Sequence, residues 1–175
     1  EWWVNMSRVS GIDATDPEQY TKREELAIRY NEEIARYLKK YIPGFENAYF
    51  DRVAPFMGIR ETRRLVGEYI LTEQDIFDCA KFDDSIAVSA YPVDQHHPVG
   101  GDCTLMWCPD CHDIPYRSLL PKKIDSLIVA GRCISATHLA LASVRVMGPA
   151  MATGEAAGKA AALSVKYNVQ LRDLD

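Results

Sequence analysis

The 175-residue sequence lacks several features that would place it in a large class of proteins at once. It has no apolar run long enough to span a bilayer, and its first residues show no basic region or apolar stretch typical of a signal peptide. Acidic residues outnumber basic ones, 25 to 20, which gives a formal net charge of −5. This charge argues against binding to nucleic acid or to an anionic membrane. We therefore expect neither partner.

Cysteine is scarce and odd in number. Five cysteines cannot form a fully paired disulfide framework within one chain. A chain of this length can bury a hydrophobic core without disulfides. These observations favour a reducing compartment, and we expect a cytoplasmic location.

The ten glycines include no G-x-G-x-x-G run, the pattern that admits a dinucleotide pyrophosphate after the first strand of a Rossmann unit. A P-loop is also missing. The spacing between Gly154 and Gly158-Lys159 is one residue shorter than the P-loop pattern requires between its glycines. Ala160 also stands at the position where a P-loop has a Ser or Thr that binds Mg²⁺. We therefore expect no nucleoside triphosphate site.

The last third of the chain carries the clearest pattern. Residues 126–130 (SLIVA) are apolar and β-branched, and they predict a buried parallel strand that ends at Gly131. A helix is predicted from Pro149 to about Tyr167, because proline suits the first turn of a helix. Small residues recur along it at helical spacing and predict a face that packs closely on a sheet or a flat ligand: Ala150, Gly154, Gly158 and Ala161.

The rest of the chain predicts an α+β fold, in which a mainly antiparallel strand meander and a long helix join the C-terminal strand–helix unit. The long helix should begin at a cap at Asp16 or Thr21 and end near Ile42, before Pro43 and Gly44. A short helix should follow Thr72. Strands are predicted at residues 63–72, 85–91, 104–107 and 117–120.

Two short segments carry charged or titratable side chains that suit a substrate. Arg60 and Arg64 lie four residues apart, and on a strand they would share one face and could bind an anion bidentately. A surface salt-bridge cluster is the alternative. Further on, Asp94 could orient the imidazole of His96, which, like Tyr91, could move a proton.

A cysteine-rich segment allows a different interpretation. Cys108-Pro-Asp-Cys111-His112 has the C-x-x-C-H spacing of haem attachment, and with Cys103 these residues could instead bind zinc. Haem attachment needs export, and a zinc ribbon needs a second well-spaced pair, which is missing. We therefore favour a structural loop and expect no metal. A non-enzymatic metal or haem domain stays the alternative function.

Several motifs together resemble one family. The C-terminal segment is similar to the FAD-contacting end of a bacterial family of FAD-dependent oxidoreductases, which is remotely similar to fumarate reductase and succinate dehydrogenase flavoproteins. The resemblance covers nearly the whole chain. It continues through Pro43-Gly44-Phe45-Glu46-Asn47, Gly58-Ile-Arg-Glu-Thr-Arg-Arg64, Gly67-Glu68-Tyr69, Tyr91-Pro92-Val93-Asp94 and Ile114-Pro115-Tyr116-Arg117.

The resemblance implies FAD as cofactor and hydride transfer between the flavin and a small, anionic or polyol, substrate. It assigns residues 1–125 to a substrate-domain-like region and 126–175 to the closing segment of an FAD-binding domain. The glycine-rich dinucleotide unit would then belong to an N-terminal part of the same protein that this chain lacks. We expect the chain alone to be an inactive fragment. The sequence does not indicate an oligomeric state.

The resemblance also assigns individual residues. Arg145 matches an arginine that binds the substrate carboxylate in fumarate reductases, although Met147-Gly148-Pro149 replaces the family's Leu-Gly-Gly. Arg132 follows Gly131 where many flavoproteins have an acidic residue, so it is expected to face phosphate instead. The residues expected at the cofactor are Gly131, Arg132, Gly148, Pro149, Ala150 and Met151. Those expected in catalysis are His96, Arg145 and Tyr91, and those expected at the substrate are Arg60, Arg64 and Asp94.

Overall fold

The computed structural model describes residues 2–97 and 103–174. They fall into two compact units, one of residues 2–62 and the other of residues 63–97 and 103–174. The predicted division at residue 125 concerns the domains of the resembled family and stays a prediction. Within the described residues, no helix is both long and apolar enough to cross a bilayer.

The first unit is built on one long helix, α1 (Pro17–Tyr41). Of the two predicted starts, the structure uses Asp16, whose carboxylate accepts hydrogen bonds from the backbone N–H groups of Glu18 and Gln19. Pro17 occupies the first helical position, where its missing N–H costs nothing. The helix ends at Ile42, as Pro43 predicts.

The second unit contains two small antiparallel sheets, one nested inside the other along the chain. Strand β1 (Ser85–Ser89) pairs with β4 (His112–Pro115), and β2 (Val93–His96) pairs with β3 (Cys103–Met106). Helix α2 (Glu73–Phe77) precedes them, and α3 (His138–Val144) and α4 (Met147–Tyr167) follow. The α+β class is confirmed, but two nested strand pairs replace the predicted single meander.

Three predicted strands do not form. Residues 117–120 overlap a 3-10 turn, Tyr116–Ser118. Residues 63–72 are extended but form only isolated bridges, Gly67 with Pro121 and Leu71 with Ala136, rather than a continuous ladder. Residues 126–130 begin with Ser126 at a φ of 56°, a left-handed conformation that interrupts extended backbone. A strand also needs a hydrogen-bonded neighbouring strand, and none of the described strands pairs with this segment.

The extended segment 65–71 nevertheless holds the second unit together. It lies between residues 117–121 and 133–137 and forms backbone hydrogen bonds to both. Gly67 lies so close to Ser135 that a Cβ on residue 67 would be only 2.6 Å from the Cβ of Ser135. The backbone bonds are Glu68 N–H to Leu120 C=O, Leu71 N–H to Ser135 C=O, Leu65 N–H to Cys133 C=O and Thr137 N–H to Leu71 C=O.

A hydrophobic core surrounds this segment and joins α2, α3, β2 and β4. Its members are drawn from every part of the second unit, so the core forms only when distant segments meet. The largest fully buried apolar side chains are Leu71, Ile76, Val93, Ile114, Leu119, Ile134, Leu141 and Val144.

Polar contacts at the surface support the β1–β4 pair. The Asp84 carboxylate receives two hydrogen bonds from the Arg117 guanidinium, at 3.0 and 3.2 Å. Burial opposes ionisation of Asp84, but these bonds prevail and lower the pKa of its carboxyl. Tyr69 packs beneath the guanidinium, and burial followed by its hydrogen bond to Asp75 raises the pKa of its phenol to about 12.

Helix α4 has the predicted extent but not the predicted packing face. Its buried residues are Thr153, Ala157 and Ala160, whereas Gly154 and Gly158 are exposed. A Cβ at either glycine would meet nothing within 4 Å. Within the described residues the small face therefore packs on no sheet, because the helix turns Thr153, Ala157 and Ala160 inward instead. Its packing on a flat ligand stays a prediction.

Two glycine substitutions should change stability in opposite directions. Gly67→Ala should lower the free energy of unfolding by roughly 1–3 kcal/mol, because the methyl group collides with Ser135. Gly154→Ala should raise it by up to about 1 kcal/mol, because alanine favours the helix and has open space. Urea denaturation of the 175-residue chain measures both. Equal effects of the two variants would contradict the packing described here.

Candidate functional site

A shallow groove lies in the second unit where the connection between β1 and β2 meets the start of α4. Its volume is about 620 Å³. Its walls are mostly apolar, and the Trp107 side chain is 73% exposed along it. The lining residues are Val88 to Pro92, Leu105, Trp107, Val146, Gly148 and Pro149. The groove thus brings Tyr91 together with two of the predicted cofactor-binding residues.

The start of α4 supplies backbone donors to this groove. Its N-cap residue, Val146, makes no side-chain capping bond. Ala150 N–H already donates to Val146 C=O within the helix, at 3.0 Å, and Pro149 has no N–H. The N–H groups that point out of the helix end are therefore those of Met147 and Gly148. The sequence predicted this helix start to within two residues.

Helix α3, which the sequence analysis missed, fixes the position of Arg145. Thr137 caps the helix, and its hydroxyl accepts a hydrogen bond from Ala140 N–H at 3.2 Å. Arg145 closes the other end as the C-cap, with its N–H bonded to Leu141 C=O. Only Val146 separates this cap from α4. Arg145 therefore lies at the turn between two helices.

Asp94 connects Arg145 to His96. The Arg145 guanidinium donates to Asp94 C=O at 2.8 Å, and Nε2 of His96 lies 3.0 Å from the Asp94 carboxylate. Asp94 and His96 belong to β2, which packs against α3. The predicted orientation of His96 by Asp94 therefore has the required contact. These residues were expected in a loop, whereas they lie on a strand.

Tyr91 immediately precedes this strand and is anchored through its backbone. Its carbonyl accepts a hydrogen bond of 2.6 Å from the Ser143 hydroxyl on α3. Its side chain is partly exposed at the groove. The contact with Ser143 ties the groove wall to the helix that carries Arg145.

A second group of predicted cofactor residues meets at Thr153, which the sequence analysis missed. Gly131 N–H donates to the buried Thr153 hydroxyl at 3.0 Å, and that hydroxyl donates to Ala150 C=O. Gly131 has a φ of 71°, which favours glycine. A threonine among the alanines, glycines and methionines of the first two turns of α4 was the available signal. The side chains of Arg132 and Met151 are exposed.

The two arginines of the predicted anion site do not share a strand face, because no strand forms there. Arg60 lies in the first unit and Arg64 in the second. The Arg64 guanidinium donates to Ala136 C=O at 2.9 Å, near the start of α3, whereas Arg145 is at the opposite end of that helix. Their role in substrate binding stays a prediction, but the reason first given for it is wrong.

The proposed ligands of the alternative metal or haem domain do not assemble. His112 is completely buried, and neither of its ring nitrogens has a hydrogen-bond partner within the described residues. Across residues 2–97 and 103–174, no three ligand atoms of Cys103, Cys108, Cys111 and His112 come together. The histidine belongs to the buried strand β4, which directs it into the core and away from a ligand set.

The groove and the helix start bear on the class of protein. An apolar groove beside a helix start that has no side-chain cap can accept a flat, anionic cofactor. A family model described as FAD dependent oxidoreductase matches residues 2–175. The chain therefore belongs to the FAD dependent oxidoreductase family, whose cofactor is FAD. No curated protein and no solved structure matches it.

Burial of His112 should make the second unit sensitive to mild acid. Burial and then the nearby Lys81 charge lower the pKa of His112 below 6.5, against the opposing effect of Asp113. The unfolded chain therefore binds the proton first. Stability should be complete above pH 6.5 and fall as the pH drops through the lowered pKa, by at most about 1.4 kcal/mol per pH unit.

Urea denaturation between pH 5 and pH 7.5 would measure this dependence. His112→Leu should flatten it, because no imidazole remains to be protonated. His138→Gln removes an exposed histidine and should leave it unchanged. Equal slopes in the wild type and His112→Leu would show that the buried imidazole is not responsible.

Proposed function

We propose that this protein takes part in hydride transfer between FAD and a small, anionic or polyol, substrate bound in the groove. One observation carries the proposal: Tyr91 and Gly148, the second residue of α4, line one apolar groove together with Val146, the residue that follows Arg145. The resemblance to fumarate reductase flavoproteins supports an anionic substrate. When bound, FAD supplies the acceptor or donor of the hydride.

The residues at the helix start suit the flavin ring. The N–H groups of Met147 and Gly148 and the positive end of the helix dipole would stabilise negative charge at the ring edge. A Cβ at Gly148 would meet nothing within 4 Å, so the space above this turn is open to a ligand. Trp107 and Tyr91 offer apolar and aromatic surface along the groove. Gly131 and Ala150 shape the adjoining turn, and the exposed Arg132 would neutralise a phosphate.

Arg145 would hold the substrate. Its guanidinium carries five donors, and one of its terminal nitrogens already contacts Asp94 C=O. That contact orients the guanidinium plane. A planar fork held in this way can present parallel N–H groups to a carboxylate, which a lysine ammonium cannot do. Arg60 and Arg64 are further candidates for attracting an anion.

Proton transfer would fall to His96 or Tyr91. The Asp94 carboxylate fixes Nε2 of His96 at 3.0 Å and so orients the ring. Tyr91 lies directly in the groove wall. Either side chain could deliver or accept the proton that accompanies hydride transfer to or from a polar substrate.

The pyrophosphate half of FAD requires another segment. The 175 residues contain no G-x-G-x-x-G run, and no described helix start carries one. We infer that an N-terminal dinucleotide-binding unit of the same protein completes the cofactor site. The exposed glycine face of α4 supports this assignment, since it offers a close-packing surface that the present chain leaves open.

Replacing Arg145 by lysine should impair turnover without releasing the flavin. Loss of one charged hydrogen bond costs about 1.5–3 kcal/mol, which corresponds to a fall of roughly 10–100-fold in kcat/KM. Steady-state kinetics on the flavin-loaded full-length protein, with flavin absorbance to measure occupancy, would test this. Arg172→Lys makes the same change in the C-terminal 3-10 turn and should leave kcat/KM intact. Unchanged kinetics in Arg145→Lys would remove this arginine from the site.

A side chain at Gly148 should weaken flavin binding in proportion to its size. The chain itself tolerates a Cβ at this position, so stability should be preserved while the ligand is crowded. We expect Gly148→Val to lower flavin occupancy more than Gly148→Ala does. Flavin content per protein and the urea midpoint measure the two effects separately. Full occupancy in Gly148→Val would place the flavin ring elsewhere.

A further inference from the structure

The β2–β3 hairpin places three metal-binding side chains on one face. His96 and Cys103 are direct cross-strand partners in the antiparallel register. Asp94 lies two residues before His96, and alternate residues of a strand point to the same face. The three side chains therefore converge because of the pairing register and not because of their spacing in sequence.

Their ligand atoms form a small triangle. Nε2 of His96 lies 3.0 Å from the Asp94 carboxylate, Sγ of Cys103 lies 2.9 Å from Oδ1 of Asp94, and Sγ lies 3.9 Å from Nε2. A tetrahedral zinc ion with sulfur, nitrogen and oxygen ligands would separate those atoms by about 3.3–3.6 Å. Changes of roughly 0.3–0.7 Å in these separations would bring all three atoms to bonding distance of one point.

The geometry does not suit a nucleophilic cysteine. In a Cys–His–Asp relay, one ring nitrogen faces the nucleophile and the other faces the carboxylate. Here the same nitrogen, Nε2, faces both Asp94 and Cys103. Three donors directed at one point are the arrangement of a metal site, and their mixture of thiolate, imidazole and carboxylate is one that Zn²⁺ accepts.

We propose that Asp94, His96 and Cys103 form a Zn²⁺ site with a fourth position open to water or a small ligand. Cys103 is exposed, whereas the side chains of Asp94 and His96 are only 12% and 20% exposed. An ion can therefore enter from the cysteine side and reach two partly buried ligands. Binding at Cys103 requires the thiolate, so it releases a proton.

The site is distinct from the C-x-x-C-H segment, with which it shares only Cys103, and it departs from the expectation of no metal. It does not rest on the flavin function, since metal binding can be measured without FAD. An ion on Nε2 would occupy the nitrogen of His96 that faces Asp94. His96 could then move protons through Nε2 only in the metal-free protein.

Cobalt is the probe of choice, because a thiolate bound to Co²⁺ gives a charge-transfer band and a tetrahedral site gives strong visible bands. The chain is stripped with a chelator and titrated with Co²⁺ under reducing conditions. We expect both sets of bands to saturate at one equivalent and to disappear when Zn²⁺ is added. The absence of a thiolate band in the wild type would overturn the proposal.

Variants identify the ligands. Cys103→Ser should abolish the thiolate band, whereas Cys108→Ser and Cys111→Ser, matched changes in the neighbouring motif, should leave it intact. His96→Gln and Asp94→Asn should weaken Zn²⁺ binding by more than the roughly 10–100-fold that loss of an outer-shell partner causes. Circular dichroism checks that each variant is folded. If Asp94→Asn fails to fold, metal binding by Cys103→Ser and His96→Gln decides whether the site exists. A band that survives Cys103→Ser, or that is lost in Cys108→Ser, would refute the site.

Discussion

The hydrogen bonding of the extended segment 65–71 is the constraint on which the second unit depends. This segment joins residues 117–121 on one side to residues 133–137 on the other, and only glycine at position 67 allows the approach. Thr137, whose N–H bonds to this segment, also caps α3. The start of α3 is thereby fixed, and with it the turn that carries Arg145. A backbone contact far from the groove thus sets the position of the site.

Asp94 has a comparable role within the site, because its two polar groups serve different partners. Its backbone carbonyl accepts a hydrogen bond from Arg145, and its carboxylate faces His96 and Cys103. The carbonyl therefore belongs to the proposed substrate side. The carboxylate belongs to the proposed metal side. Asp94 would therefore couple the proposed substrate site to the proposed metal site. A ligand bound at one of these sites could then alter the alignment of the side chains at the other.

Two surfaces of this chain stay open within the described residues. One is the glycine face of α4, and the other is the segment 126–130, in which Val129 N–H bonds to Leu119 C=O but which joins no strand. Their sequences suit close packing, but close packing needs a partner.

The sequence by itself determined the features that depend on neighbouring residues. Asp16 and Pro17 start α1, Pro43 follows its end, and α4 ends near Tyr167 as predicted. Capping and proline geometry act within one turn, so local sequence is sufficient for them. Side-chain chemistry and family resemblance predicted Tyr91, His96 and Arg145 for catalysis, and the structure places these three in adjoining segments. Of the residues predicted at the substrate, Asp94 contacts both Arg145 and His96, whereas Arg60 and Arg64 lie in different units.

Only the tertiary structure decided which segments pair. A continuous apolar run predicted a strand at residues 126–130, and β-branched and aromatic residues predicted one at residues 63–72. Strand formation, however, depends on partners that sequence pattern does not reveal. Helix α3 and strand β2 were missed because each is short and stabilised by burial against the other. The meeting of Cys103 with Asp94 and His96 depends on the register of one hairpin, because a shift of one residue would turn the cysteine to the other face.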